Sequence, residues 1–331
     1  MDSRTKNRQC MERIEQMVLS ALHSINPCFK EQPLCIQELT NGYYNAAYDI
    51  THGCDSYILK IAPPPYVAVM SYEKDLMDTE VYAMQLLKEH SKLPVPTVLY
   101  YDTTKSLCNS NYLLMEKMPG QNLDYLEKVS LTKSETDQLH KELGILNAKI
   151  NDVTSDYYGL PGRQETYRDN QKDFFLLLVD MVLTDGLRID LDIGIPYDKV
   201  HRLILDASSA LKEVNRPALV HFDLWDGNVL VHQNKITGII DFERAMFTDP
   251  MMEYYFRYHS HNHSFLCGYQ IGAKSLLNYR NLYPIRANLY DIYLYLVMSI
   301  ETKYRMYPTK DQYTFATTQL KEAYTRLKQL L

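Results

Sequence analysis

The chain has 331 residues, of which 46% are hydrophobic and 23% are charged, and its formal net charge is −6. This composition is ordinary for a globular protein, and the length favours two lobes or two domains. The acidic balance argues against a nucleic-acid partner, because nucleic-acid binding favours basic surfaces. The longest apolar run, residues 174–183, is interrupted by Asp180 and is too short to cross a bilayer, so we also expect no membrane partner.

The cysteines predict the cellular compartment. All six are widely scattered and no two form a Cys-x-x-Cys pair. This pattern indicates reduced thiols, and it does not suggest a disulfide framework or a zinc site. The first residues also lack the apolar core of a signal peptide. We therefore expect a cytoplasmic protein.

The N-terminal third of the chain predicts a small α+β lobe. Apolar spacing indicates a helix over residues 11–25 and a second one over residues 72–87. Short β-like runs cover residues 35–39, 44–50, 56–61, 98–101 and 111–115, and Asn41-Gly42 supplies the first turn between them. Pro119-Gly120 then interrupts the pattern, so we place the boundary of this lobe after residue 118.

Residues 119–331 predict a larger, mostly helical lobe. Thr132 and Glu135 form a capping box at the start of a helix with apolar residues at helical spacing. Further helices are predicted over residues 170–184 and 197–214, and helices dominate from Glu253 onward.

The segment 219–250 carries the clearest chemical signal. Its first apolar run leads into a polar loop with His221, Asp223 and Asn228, and a later run ends directly on Asp241. A hairpin between them lets Asn228 and Asp241 face one point, as oxygen ligands of Mg²⁺ must. Asp223 is placed to receive a proton from a hydroxyl that attacks a phosphate. The alternative is a buried hairpin whose Asp and Asn side chains only cap turns.

The spacing His-x-Asp-x-x-x-x-Asn, followed by Asp-x-Glu, resembles the active site of the aminoglycoside phosphotransferase and choline kinase group. The resemblance implies a bilobal, protein-kinase-like α+β fold with a small N-terminal antiparallel-sheet lobe and a mostly helical C-terminal lobe that holds the acceptor site. It also implies an enzyme that uses Mg²⁺ with ATP or GTP to phosphorylate a hydroxyl of a small molecule. Asp223, Asn228 and Asp241 would be the catalytic residues, with Asn228 and Asp241 as metal ligands.

The same resemblance assigns the nucleotide-binding residues. Gly42 and Asn45 would lie in the hairpin over the phosphates, where glycine allows a close backbone approach. Lys60 would contact the α- and β-phosphates. A cation in an apolar strand needs an anionic partner, for which Glu80 is expected and Glu73 is the competitor.

The segment 111–120 resembles the hinge between kinase lobes. The backbones of Glu116 and Met118 would hydrogen-bond the base of the nucleotide. Two departures stand in the polar loop: Phe222 replaces a small residue, often Gly, and Asp226-Gly227 replaces the usual Pro-Gly. Neither removes a chemical group. A further pattern, the alternating histidines at 259, 261 and 263, predicts a solvated loop or a helix start in preference to a metal site.

The acceptor remains open between two classes. One is an aminoglycoside-type antibiotic, and the other is a metabolic amino alcohol, sugar or amino acid. Acidic residues of the C-terminal lobe could bind amines, and the candidates are Asp180, Asp185, Glu253 and Glu301. A third hypothesis is a nucleotide-binding scaffold that lost catalysis. A protein kinase is disfavoured, because the space between Asp241 and Asp249 is too short for an activation loop.

Overall fold

The computed structural model describes residues 5–30, 32–40, 42, 44–90, 92–273 and 283–331. The strands of its N-terminal part are Leu34–Leu39 (β1), Ala46–His52 (β2), Asp55–Ile61 (β3), Val98–Asp102 (β4) and Tyr112–Glu116 (β5). They form one antiparallel sheet in the order β1-β2-β3-β5-β4. The predicted small antiparallel-sheet part is therefore confirmed.

Two helices cover the two faces of this sheet, namely Met11–Ile25 (α1) and Leu76–His90 (α2). Successive side chains of a strand point to opposite faces. Tyr112 and Leu114 accordingly pack in the cluster that contains α1, while Leu113 and Met115 pack in the cluster that contains α2. Lys60 lies opposite Leu113 in the β3–β5 pairing, so its side chain faces α2.

The start of α2 differs from the prediction. The predicted helix begins at residue 72, whereas the structure has a 3-10 turn at Ser71–Glu73 and begins the α-helix at Leu76. Asp75 has a φ of 58°, and this left-handed conformation cannot continue a right-handed helix. Met70 and Tyr72 are buried in the hydrophobic cluster of the helical part. This turn therefore packs with the helical part, although it lies between two elements of the sheet part.

The C-terminal part is mostly helical, as predicted. Its elements are Gln121–Asn122 (β6), Leu123–Val129 (α3), Lys133–Asn151 (α4), Gln171–Arg188 (α5), Tyr197–Ala207 (α6), Ala218–Val220 (β7), Val229–His232 (β8), Lys235–Ile239 (β9), Met246–Thr248 (β10), His263–Gly272 (α7), Tyr283–Tyr304 (α8) and Asp311–Leu330 (α9). The helix predicted over residues 197–214 ends at Ala207 and continues as a 3-10 segment, Ser208–Glu213. None of the helices in the described ranges is long and apolar enough to cross a membrane.

Helices α4 and α7 pack with their backbones almost in contact. A Cβ added to Gly268 would lie 1.9 Å from the carbonyl oxygen of Lys141, and one added to Gly144 would lie 2.0 Å from that of Phe265. The predicted capping box starts α4: the backbone N–H of Thr132 donates to Glu135 at 2.9 Å, and that of Glu135 donates to Thr132 at 3.3 Å. The cap thus fixes where α4 begins, and the two glycines let α4 and α7 approach closely.

Short strands position the two loops of the candidate site. Strands β7 and β10 pair antiparallel, and β8 pairs with both β6 and β9. The β7–β8 connection holds residues 221–228, and the β9–β10 connection holds residues 240–245. The N–H of Ile240 donates to the carbonyl of Asn228 at 3.0 Å, so the two loops lie side by side.

Candidate active site

The loop after β7 brings Asp223 and Asn228 together. The Asn228 side-chain amide donates to the backbone carbonyl of Asp223 at 2.8 Å, which leaves the Asn228 Oδ1 as an acceptor. Burial raises the pKa of the Asp223 carboxyl, and the charges of Arg244 and His221 partly offset that effect. A carboxyl with a raised pKa holds a proton more readily than an exposed aspartate does.

His221 supports the two loops. It is fully buried, its backbone N–H donates to Glu253 at 2.9 Å, and its Nε2 lies 2.9 Å from the carbonyl oxygen of Ile240. The same Glu253 also accepts from the N–H of Tyr254 at 3.0 Å. With Nε2 engaged on the neighbouring loop, His221 is suited to buttress that loop.

Lys60 joins the sheet part to the second loop. Its Nζ lies 2.5 Å from Glu80 and also contacts the carboxylate of Asp241. Burial alone would lower the pKa of Lys60, but Asp241 and Glu80 raise it overall, so the lysine stays charged. Burial also acts to raise the pKa of Asp241, and the charge of Lys60 outweighs it, so that pKa is lowered. Glu80 of α2 thus contacts Lys60, whereas Glu73 lies in the Ser71–Glu73 turn and binds Arg305.

The hairpin between β1 and β2 reaches the same place. Asn45 donates to Glu243 at 2.9 Å and ties the hairpin to the loop of Asp241. Burial, and after it the charge of Asp241, raises the pKa of Glu243 to about 7. A Cβ added to Gly42 would have only the Asn45 carbonyl oxygen near it, at 3.9 Å. The described protein around Gly42 therefore leaves space beside the hairpin.

The end of β5 offers backbone groups at the edge of this site. The N–H of Glu116 donates to the Thr97 carbonyl at 2.9 Å, and its side chain accepts from the Thr97 hydroxyl at 2.8 Å. Within the described ranges, Met118 makes no hydrogen bond. Glu116 therefore has its N–H already engaged, whereas the N–H of Met118 is available to a ligand.

A buried charge network beside the site was not found from the sequence. Arg244 donates to Glu301 at 2.7 Å, and Arg305 donates to Glu73 at 2.5 Å. The Arg305 guanidinium also lies over the ring of Tyr44, 5.2 Å from its centroid. The network joins the β1–β2 hairpin, the Ser71–Glu73 turn and α8. The two partners in these pairs are 57 and 232 residues apart in the sequence, so no short sequence pattern predicts that they pair.

The four acidic residues considered for amine binding already have partners. Asp185 accepts from the Ser71 backbone at 2.6 Å and from its hydroxyl at 2.8 Å. Glu253 and Glu301 are held by the contacts described above, and the exposed Asp180 lies 3.1 Å from His201. Asp185, Glu253 and Glu301 thus stabilise the fold, and a ligand amine would have to displace a protein partner from any of them.

Phe222 has a φ of 70°, a left-handed conformation at the position where the sequence pattern often has glycine. Its buried ring packs under the Arg257 guanidinium, 4.8 Å from the ring centroid. The alternating histidines form no strand: His263 is the first residue of α7, and His259 contacts Gln319. The prediction of a loop or helix start there is confirmed.

Comparison with known proteins identifies the family. The sequence profile of the phosphotransferase enzyme family matches residues 36–263, which is most of the chain. The chain therefore belongs to the phosphotransferase enzyme family.

Two curated relatives share a shorter region. Both are called subtelomeric hrmA-associated cluster protein and come from two strains of Aspergillus fumigatus. Each is 28% identical over 132 residues, which cover 39% of this chain and 25% of the relative. The match thus spans about a quarter of the length of these relatives.

Solved structures agree on the fold. A protein from Haemophilus somnus assigned as a fructosamine-3-kinase has a TM-score of 0.68 at 15% identity, with 92% of this chain and 96% of that chain covered. The aminoglycoside phosphotransferase APH(4)-Ia has a TM-score of 0.66 at 16% identity, with 96% and 99% covered. A thermostable mutant of that enzyme, in a ternary complex with ADP and hygromycin B, has a TM-score of 0.63 at 15% identity over 88% and 94%. The kinase-like fold is therefore confirmed.

Proposed function

We propose that the protein transfers the γ-phosphoryl group of ATP or GTP to a hydroxyl of a small molecule. The observation that carries this proposal is the convergence on Asp241, where a buried lysine from the sheet meets a loop that also adjoins Asp223 and Asn228. Phosphoryl transfer has a loose transition state, so catalysis rests on positioning and on charge stabilisation. The site gathers groups for both tasks.

Asp223 is the proposed base. Its carboxyl accepts the proton of the acceptor hydroxyl as the oxygen attacks the phosphorus, and the bond to the leaving phosphate of the nucleotide breaks. Burial supports this role, because a raised pKa moves the carboxyl toward the pH at which proton transfer is efficient. The Asn228 amide holds the loop backbone at Asp223 and so orients the base.

The residues of the site fit Mg²⁺. Asn228 Oδ1 and the Asp241 carboxylate are hard oxygen donors, and the Asn228 amide nitrogen is already engaged, which leaves the oxygen to serve as the ligand. When bound, the ion would neutralise negative charge on the phosphate oxygens. Asp241 stays anionic because Lys60 lowers its pKa against the effect of burial. Glu243 would orient the loop through its bond from Asn45.

The nucleotide would lie between the β1–β2 hairpin and the end of β5. Lys60 would contact its phosphates, with Glu80 holding the ammonium in place. Gly42 and Asn45 would cover the phosphates. The Glu116 carbonyl and the Met118 N–H would bind the base. The domain division at residue 118 remains a prediction within this proposal.

Two acceptor classes follow from different observations. Structures of relatives have been solved with hygromycin B and with kanamycin, which supports an aminoglycoside-type acceptor. The partnered state of the carboxylates considered above favours the alternative, because an aminoglycoside is polycationic and needs free acidic groups. That alternative is a metabolic hydroxyl compound such as choline, ethanolamine, a sugar or an amino acid. In either case the proposed location is the cytoplasm.

The first experiment is nucleotide consumption by the purified protein with Mg²⁺, using ATP and GTP separately. Aminoglycosides, choline, ethanolamine, sugars and hydroxylated amino acids form the acceptor panel, and Asp223→Asn is the control. Turnover with one acceptor class that disappears in the variant supports the proposal. Nucleotide binding without turnover on any acceptor would instead support a scaffold without catalysis.

A further inference from the structure

Three side chains that can ligate a metal ion meet beside the loop after β7, outside the site described above. Glu127 comes from α3, His140 from α4 and Asp226 from the 3-10 turn Asp226–Asn228. His140 Nε2 lies 3.0 Å from Asp226 Oδ1 and 3.5 Å from Glu127 Oε1. One candidate ligand atom from each residue lies within 4.8 Å of the others. We propose that this cluster binds a divalent transition-metal ion, with Zn²⁺ as the best fit.

The cluster brings the carboxylates of Glu127 and Asp226 to one histidine. Glu127 Oε1 is buried and has no hydrogen-bond partner. Among the described residues, no lysine or arginine forms an ion pair with Glu127 or Asp226. Burying carboxylates without a counter-charge is costly. A protonated His140 would balance one carboxylate, whereas a divalent cation balances both.

The distances suit a small tetrahedral site. Zinc bonds to histidine nitrogen and carboxylate oxygen measure about 2.0–2.2 Å, which places neighbouring ligand atoms roughly 3.3–3.5 Å apart. The two separations from His140 Nε2, 3.0 and 3.5 Å, lie close to that value. An imidazole with two carboxylates is a donor set that zinc accepts, whereas Mg²⁺ prefers oxygen ligands alone.

A fourth residue holds the proposed ligands in place. The Tyr255 hydroxyl donates to Asp226 Oδ1, and its ring meets the His140 ring edge-on with centroids 5.6 Å apart. Hydrogen bonds of this kind orient metal ligands in proteins. The distances from His140 Nε2 to Asp226 and Glu127 show that Nε2 is the nitrogen turned toward the carboxylates.

An ion at this position would fasten α3 and α4 to the catalytic loop. Asp226 lies three residues after Asp223 and two before Asn228, in place of the proline usual in the resembling proteins. The carboxylate therefore gives the loop an anchor that proline cannot supply. The inference concerns metal binding alone and does not depend on the identity of nucleotide or acceptor.

The test is metal binding by the 331-residue chain after chelation, with no nucleotide present. Calorimetric titration with Zn²⁺ is expected to show one tight equivalent, and Co²⁺ is expected to give the visible absorption of a tetrahedral ion. His140→Gln should lose both signals. Glu142→Gln, which changes a partly buried carboxyl on the same helix outside the cluster, should keep both.

Two outcomes overturn the proposal. Equal Zn²⁺ binding by the wild type and His140→Gln would assign the ion to another place, such as the exposed Cys28. No tight equivalent in the wild type would leave the cluster as a hydrogen-bonded support of the loop. If His140→Gln does not fold by circular dichroism, Glu127→Gln decides in its place, because that side chain is 24% exposed and the change keeps its size.

Discussion

The two loops of the candidate site are built alike but hold their central carboxylates differently. The first loop has Phe222 at a φ of 70° directly before Asp223, and the second has Asp241 itself at a φ of 65°. Each left-handed non-glycine residue costs roughly 1–2 kcal/mol, so both loops need support from their surroundings. In the first loop that support is the packing of an aromatic ring, and in the second it is the ion pair with Lys60.

The electrostatic consequence is opposite in the two loops. Burial raises the pKa of Asp223 more than Arg244 and His221 lower it, whereas at Asp241 the effect of Lys60 exceeds that of burial. Environments that separate the pKa values of two nearby acids commonly give them separate roles. The difference suits Asp223 for accepting a proton and Asp241 for remaining an anion beside a cation.

The largest expected effect comes from Asp223→Asn. The amide cannot accept the proton, so turnover should fall by about 10³-fold, within the usual range for loss of a catalytic base. Nucleotide affinity should stay unchanged, because Lys60 and Asp241 are untouched. Steady-state kinetics and nucleotide titration measure the two quantities. Asp206→Asn, an exposed aspartate on α6, is the matched control, and equal turnover in Asp223→Asn would remove the base assignment.

Asp241→Ala should act on nucleotide binding as well as on turnover. Removing the anion takes away a proposed ligand of Mg²⁺ and frees Lys60 from one of its two carboxylates, so Mg²⁺-dependent nucleotide affinity should drop by about 10²-fold. Titrations with nucleotide at several Mg²⁺ concentrations measure this change. An affinity that keeps its wild-type dependence on Mg²⁺ would contradict the metal role and erase the distinction between the two loops.

Phe222 tests whether packing supports the first loop. Phe222→Ala should cost about 3–5 kcal/mol of unfolding free energy through lost packing. Phe222→Gly should be more stable than Phe222→Ala by about 1 kcal/mol, because glycine adopts positive φ freely. Phe242, equally buried and without positive φ, is the matched control, and there the glycine variant should be the less stable one. Urea unfolding of all four variants measures the order, and the same order at both positions would refute the strain at Phe222.

The smallest expected effect concerns pH and the second loop. The pKa of Glu243 rises from 4.5 to about 7 on folding. Between those values the folded state keeps a proton that the unfolded state releases, so this residue lowers stability as pH rises from 4.5 to 7. Glu243→Gln keeps an acceptor for Asn45 and should remove that decline. Urea unfolding at pH 5 and pH 7.5 tests it, and an identical change in wild type and variant would mean that Glu243 titrates normally.

The parts of this molecule that the sequence predicted depend on local patterns. The capping box at Thr132 spans four residues, and the polar loop that holds His221, Asp223 and Asn228 lies within one short segment. By contrast, the predicted start of α2 at residue 72 was wrong, and the helix begins at Leu76. The left-handed conformation of Asp75, which breaks the helix, follows from tertiary contacts. The pairing of Glu73 with Arg305 could not be predicted either, since it depends on how α8 packs against the Ser71–Glu73 turn.

The attachment of the Ser71–Glu73 turn determines where the molecule can bend. Asp185 binds this turn through Ser71, and Arg305 binds it through Glu73, so it must travel with the helices. Helix α2 after it contacts both parts, because Glu80 binds Lys60 of β3 and the Thr79 hydroxyl donates to the Pro161 carbonyl at 3.2 Å. The Ser71–Glu73 turn and α2 therefore attach the sheet to the helical part at a second place, besides the chain connection at residues 117–120. This second attachment restrains any movement of the sheet relative to the helices.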